Sequence, residues 1–176
     1  MQKSAKLEIF EETILPHLDA AYNLARWMLR NDQDAQDVVQ EASLRAYRFF
    51  EGYKGGDAKA WLLAIVRNTS LSWRRRSRRD ESNVLFDELT HRATVEAPNS
   101  EDRMVDADRM IALRNCIEAL PADQREVLIL REFEDMSYKQ IAETMGLPVG
   151  TVMSRLARAR QRLEVRTGVD GSACRS

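Results

Sequence analysis

The chain has 176 residues, 44% hydrophobic and 31% charged, with 7 Gly, 4 Pro and a formal net charge of −1. That apolar share is enough for a packed core and excludes a disordered polyampholyte, while scarce Gly and Pro disfavour a turn-rich β sandwich or barrel. An all-α protein is expected. The longest apolar run, Ala60 to Val66, is seven residues, far short of the roughly 20 that span a bilayer. The first residues, MQKSAKLEIFEE, lack a signal-peptide apolar core, so a cytoplasmic protein is expected. Cys116 and Cys174 make neither a disulfide framework nor a metal cluster; Cys116 reads as a small core residue.

In chain order, Leu7, Phe10, Ile14, Leu18, Ala21, Ala25 and Met28 recur at spacings of three and four, which predicts one helical stripe. Asp32 or Asp34 can cap the next helix, with Ala35, Val38, Val39, Ala42, Ala46 and Phe49 on its buried face and Asp37, Gln40, Glu41, Arg45 and Arg48 on its polar one. Gly52, Gly55 and Gly56 then impose a loop. Ala58 to about Arg76 reads as a third long helix, with Trp61, Leu62, Ile65, Val66, Thr69 and Trp73 on one side.

Residues 80–108 show no sustained apolar period, contain Pro98, Asn99 and Ser100, and are acid-rich, so they predict a solvated linker. Two small helical domains follow, 1–79 and 109–166, with a tail at 167–176. In the second, Met110, Leu113, Ile117 and Leu120 share a face, Pro121 suits the first turn of a new helix, and Val127, Ile129, Leu130 and Phe133 continue the core. Ser137 to Gln140 is a capping box. A short helix ends at Gly146, and after Pro148 a longer one buries Val152, Leu156, Ala159 and Leu163 while leaving Ser154, Arg155, Arg158 and Arg162 free. Two helices joined by a short Gly-containing turn form a helix-turn-helix.

Charge along the chain is uneven. Arg67 to Arg79 holds six arginines and no acid, residues 80–108 sum to −7, and residues 149–166 to +4. Two cationic patches flanking an anionic segment make two candidate polyanion sites inside a nearly neutral protein. An exposed arginine-bearing helix fits the major groove, where arginine pairs with guanine edges or phosphates. Arg74, Arg75 and Arg76 point all around their helix and suit phosphates. Asn68, polar within an apolar stretch, offers a donor and an acceptor to an unpaired base. Trp61 lies on the apolar stripe with Ile65 and reads first as a core residue.

SYKQIAETMGLPVGTVMSRLARARQRL resembles the region-four helix-turn-helix of sigma-70 family sigma factors, and LPADQREVLILREFEDMS resembles the helices before it. DAQDVVQEASLRAYRFF resembles the region-two helix that binds the core polymerase clamp, and AWLLAIVRNTSLSWRRRSRR resembles the helix that reads and melts the minus-ten element. Two such regions with only a short linker between them is the arrangement of the extracytoplasmic-function group. The resemblance implies a transcription initiation factor that binds core RNA polymerase and promoter DNA, is held by an anti-sigma factor, and needs no cofactor or metal. It implies polymerase contacts at Asp37, Gln40, Glu41, Leu44 and Arg48. It implies minus-ten contacts at Trp61, Arg67, Asn68, Arg74, Arg75 and Arg76, and minus-35 contacts at Ser137, Thr151, Met153, Ser154, Arg155, Arg158 and Arg162. Met153 and Ala157 depart from many relatives, so the minus-35 preference does not carry over.

Two other classes compete. An ordinary helix-turn-helix regulator with an N-terminal sensor or dimerisation domain would not require the second arginine patch. An enzyme is disfavoured because His17 and His91 lie in different segments and no phosphate loop, nucleophile motif or metal-spaced carboxylate pair is present.

Overall fold

The computed structural model describes residues 2–83 and 101–167. Within them the chain is helical, with no strand among the described residues. The middle of the expected linker and the tail from residue 168 lie outside them, with His91 and Cys174.

The N-terminal unit is built from α1 (Gln2–Ile14), α2 (Leu18–Leu29), α3 (Asp32–Phe49) and α4 (Ala58–Asn83). The single stripe expected over Leu7 to Met28 is broken: Pro16 lacks an amide proton, and Leu15–His17 turns as a 3-10 helix between α1 and α2. Of that stripe Phe10, Ile14, Ala21, Ala25 and Met28 nevertheless reach the core, because the turn preserves their common side, whereas Leu18 is partly buried and Leu7 exposed; Leu24 joins the core beside them. The cap of α3 is Asn31, whose side chain accepts from the Asp34 amide at 2.9 Å, and not Asp32 or Asp34. Asp32 instead pairs with Arg26. Phe49, expected inside, is 65% exposed, because α3 passes beyond the core there; Phe50, one residue on, packs edge-on against Phe10 at 5.2 Å. Helix α4 buries Leu62, Leu63, Val66, Thr69 and Ser70, and the two hydroxyls donate to backbone carbonyls four residues back.

The C-terminal unit comprises α5 (Glu101–Glu118), α6 (Ala122–Leu128), α7 (Tyr138–Met145) and α8 (Val149–Thr167), with a π-helical turn at Ile129–Phe133 continuing α6. Helix α4 runs four residues into the expected linker and α5 starts eight residues before its end, so both helices outlast their apolar stripes. Of the stripe expected on α5, Ile117 and Leu120 are buried but Met110 and Leu113 are exposed, and Cys116 is half-buried. Phe133 is half-exposed; the wide π turn swings it off the local core and against Trp27 of α2, ring centroids 5.8 Å apart. The capping box is complete: Ser137 Oγ accepts from the Gln140 amide at 3.2 Å, and Gln140 Oε1 from the Ser137 amide at 2.8 Å. Gly146 closes α7 at φ +65°. Val152, Leu156 and Ala159 seat α8 on the core, with Leu147 and Leu163 partly covered beside them.

A Cβ at Gly146 meets nothing within 4 Å, so any cost of substitution there is conformational. Gly146→Ala is expected to lower stability by about 1 kcal/mol and Gly146→Asn by less, because asparagine tolerates the left-handed region. Denaturant midpoints of the two variants check this; equal losses would contradict it.

Candidate nucleic-acid and polymerase interfaces

The outer face of α3 carries the residues expected to meet the polymerase. Gln40, Leu44 and Arg48 are exposed, Leu44 at 55%, while Asp37 and Glu41 are half-buried. Glu41 is engaged with Arg45 on its own helix and with Arg76 of α4 at 3.4 Å. Beside them α1, α2 and α3 leave an apolar groove of about 580 Å³, lined by Leu7, Leu18, Val39, Gln40, Leu44 and Tyr47. An exposed leucine at the rim of such a groove, ringed by polar side chains, has the make-up of a protein contact.

The loop before α4 is fixed by two left-handed glycines, Gly55 at φ +85° and Gly56 at φ +100°, and by the Tyr53 hydroxyl donating to Gly56 O at 2.7 Å. Asp57 then caps α4 through the Ala60 amide at 2.9 Å. Trp61 is half-buried and sits 5.1 Å from the Tyr53 ring and 6.3 Å from that of Phe50, so it anchors an aromatic cluster beneath the loop. Asn68 is exposed, and its amide has no hydrogen-bond partner among the described residues. Arg75 is exposed; Arg76 lies 5.7 Å over the Trp73 ring.

Arg67 is placed differently from the expectation of a free cation: it forms an ion pair with Glu126 of α6, and both side chains are largely buried. This is a contact between the two units, and others flank it. Lys59 donates to the backbone oxygen of Glu134 at 2.8 Å and to its carboxylate at 2.9 Å. Gln140 of the capping box hydrogen-bonds Asp57, and Arg30 donates to Glu118 O. Arg67, Arg74, Arg125 and Arg155 line a cavity of about 200 Å³ at this junction. Burial, with Arg30 and Arg74 nearby, lowers the Arg125 pKa to about 10; its guanidinium donates to Glu118 O at 2.7 Å. Burial raises the Glu126 pKa against the opposing pull of Arg67.

On α8, Met153, Ser154, Arg158 and Arg162 are exposed, Thr151 is half-buried, and Ser154 Oγ donates to Thr151 O at 3.0 Å. Ser137 is exposed at the start of α7. Arg155, expected on the free side, is half-buried and lies 3.5 Å from Asp123, because the start of α6 leans against that flank of the helix. Sequence reasoning missed Lys59, Asp57, Glu126, Glu134 and Gln140 as partners across the units. The only signal in the sequence was two acids, Glu126 and Glu134, at the borders of the apolar segment VLILREF.

A helix-turn-helix with a cationic second helix, joined in one chain to a helical unit ending in an arginine-rich helix, defines a bipartite DNA-binding protein. Family models described as "Sigma-70 region 2" and "Sigma-70, region 4" match residues 13–80 and 110–163. The chain is 38% identical over 150 residues to the ECF RNA polymerase sigma-E factor of Haemophilus influenzae, covering 77% of it. It is 33% identical over 159 residues to the ECF RNA polymerase sigma factor SigE of Mycolicibacterium smegmatis, of whose length it spans 62%. A solved structure of the sigma factor RpoE with the anti-sigma factor NepR from Bartonella quintana superposes with a TM-score of 0.72 at 28% identity, covering 93% of this chain and 99% of that one. The chain belongs to the sigma-70 family of RNA polymerase sigma factors, in its extracytoplasmic-function group. Its N-terminal unit is thus a sigma region two and not a sensor domain. No helix among the described residues is long and apolar enough to cross a membrane.

Removing Arg67 leaves Glu126 as a buried carboxylate without its cation, a loss worth about 3–5 kcal/mol where the interior cannot open. The folded-state pKa of Glu126 is already raised, and without Arg67 it rises further. A group of that sign loses its contribution to stability as pH climbs above the ordinary carboxylate value of 4.5. Arg67→Gln is therefore expected to lower the melting temperature more at pH 7 than at pH 5. A deficit that is constant across this range, or larger at pH 5, would contradict the account.

Proposed function

We propose that this sigma factor holds core RNA polymerase on the outer face of α3, reads and opens the minus-ten element with α4 and the loop before it, and reads the minus-35 element with α8. Asp37, Gln40, Glu41, Leu44 and Arg48 meet the polymerase, supported by the apolar groove that Leu44 and Gln40 border. Asn68 reads an unpaired base over the Trp61 cluster. Arg67, Arg74, Arg75 and Arg76 hold the strand's phosphates. On α8, Met153, Ser154 and Arg158 face bases and Arg162 a phosphate; Arg155 joins them on leaving Asp123, and Ser137 and Thr151 flank the turn. The domain limits in this reading are 1–79 and 109–166. The protein acts in the cytoplasm, without catalysis of its own, and an anti-sigma factor restrains it, as the NepR complex of the related RpoE suggests.

The single observation that carries this reading is the exposed Asn68, unpartnered and one residue from an arginine on a helix that follows a glycine-shaped loop. The direct test is transcription by purified core polymerase with and without the protein, followed by mapping of start sites. Absence of protein-dependent starts would overturn it.

Two variants resolve the parts. Reversing charge at Asp37 and Glu41 together is expected to weaken polymerase binding at least tenfold with little effect on stability, since the Glu41 pairs are solvent-screened. Unchanged affinity in a competition assay would exclude this face. Asn68→Ala is expected to leave the stability within about 0.5 kcal/mol of wild type, as for an exposed side chain. It should also flatten discrimination at one minus-ten position. Open-complex formation on promoters varied base by base reads this out, and identical rankings would place the pocket elsewhere.

A further inference from the structure

Three contacts run along one side of α4 and its preceding loop, and the region-four unit supplies the partner in each. Asp57 meets Gln140, Lys59 meets Glu134, and Arg67 meets Glu126. Lys59 and Arg67 are eight residues apart, as are Glu126 and Glu134. Eight helical residues rise about 12 Å and turn about 80° past two full turns, so the two cations lie within one broad face of α4. Glu126 and Glu134 are buried, at 8% and 5% exposure. A carboxylate presents to lysine and arginine the same oxygen-acceptor chemistry as a DNA phosphate. Compensation is incomplete, because Glu134 Oε1 is buried with no hydrogen-bond partner, so these acids are poorly accounted for as stabilisers.

We propose that the region-four unit is an internal competitor for the promoter strand: Glu126 and Glu134 occupy Arg67 and Lys59 in the closed chain, so the closed arrangement and the bound strand exclude each other. This rests on the reading of α4 as the minus-ten helix. Opening hydrates both carboxylates and releases both cations together. The two sides of each ion pair then affect DNA binding with opposite signs. Loss of a carboxylate frees a cation for phosphate, whereas loss of the cation removes a phosphate contact, although either loss loosens the junction. A purely structural pair would give the same sign from both sides.

The test uses the full chain, a fluorescein-labelled single-stranded DNA 20-mer of random sequence read by anisotropy, and small-angle scattering of the free protein. Glu126→Gln with Glu134→Gln is expected to enlarge the radius of gyration and tighten strand binding about tenfold. Arg67→Gln should also enlarge the radius but weaken binding. Glu134→Gln alone, which leaves the Arg67 pair intact, should give a smaller gain in affinity, and thermal melting verifies that each variant folds. Equal or weaker binding by both carboxylate variants overturns the competitor; weaker binding by Arg67→Gln in the same series leaves the minus-ten assignment standing. Failure of every form to bind the strand overturns both.

Discussion

The burial of Glu126 against Arg67 is the constraint around which the two units are arranged. An ionised carboxylate away from water needs a cation and complementary hydrogen bonds, and here the cation comes from the other unit. The junction therefore cannot be treated as a neutral apolar seam. It is a seam of charge pairs and carbonyl contacts, from Arg30 with Glu118 O at one edge to Lys59 with Glu134 at the other, with the Trp27 and Phe133 rings between the units. Such seams respond to salt more than apolar ones do wherever water reaches them.

This arrangement also links features that belong to separate tasks. Arg76 of α4 reaches Glu41 on the face proposed to meet the polymerase. Arg155 of α8 reaches Asp123 at the start of α6. Both are cations that the charge distribution along the chain marks as polyanion contacts, and both have acidic neighbours in the folded chain. The near-neutral total charge thus has a local counterpart, since several arginines of the basic segments face carboxylates from elsewhere in the sequence.

Local physics made much of the fold legible. The spacing of Ala35, Val38, Ala42 and Ala46, the Ser137 to Gln140 capping box and the glycine at 146 each act within a few residues, and each appears in the structure as read. Errors arose where the next residue or another element decided the outcome. Pro16 divided a continuous apolar stripe, Asn31 displaced the aspartates as cap, and Phe49 gave its place in the core to Phe50. In the candidate site, the exposed Asn68, Ser154, Arg158 and Arg162 could be read from local pattern. The partners of Arg67 and Lys59 could not, because they lie 59 and 75 residues away and no periodicity encodes a pairing across units.

The π turn at Ile129–Phe133 accommodates one residue more than an α-helical turn, with the Glu134 amide bonding to Ile129 O five residues back at 3.2 Å. An α-helix advances about 100° per residue, so the extra residue sets the azimuth of everything that follows it. Winding the same residues as a regular α-helix would leave composition and charge unchanged and helix content nearly so. It would also rotate Glu134 and the segment leading into α7 by about a quarter-turn relative to α6. Glu126 would keep its place while Glu134 pointed away from Lys59. The phase relation between the two acids is thus carried by the length of one short turn, independently of the residues that form the ion pairs.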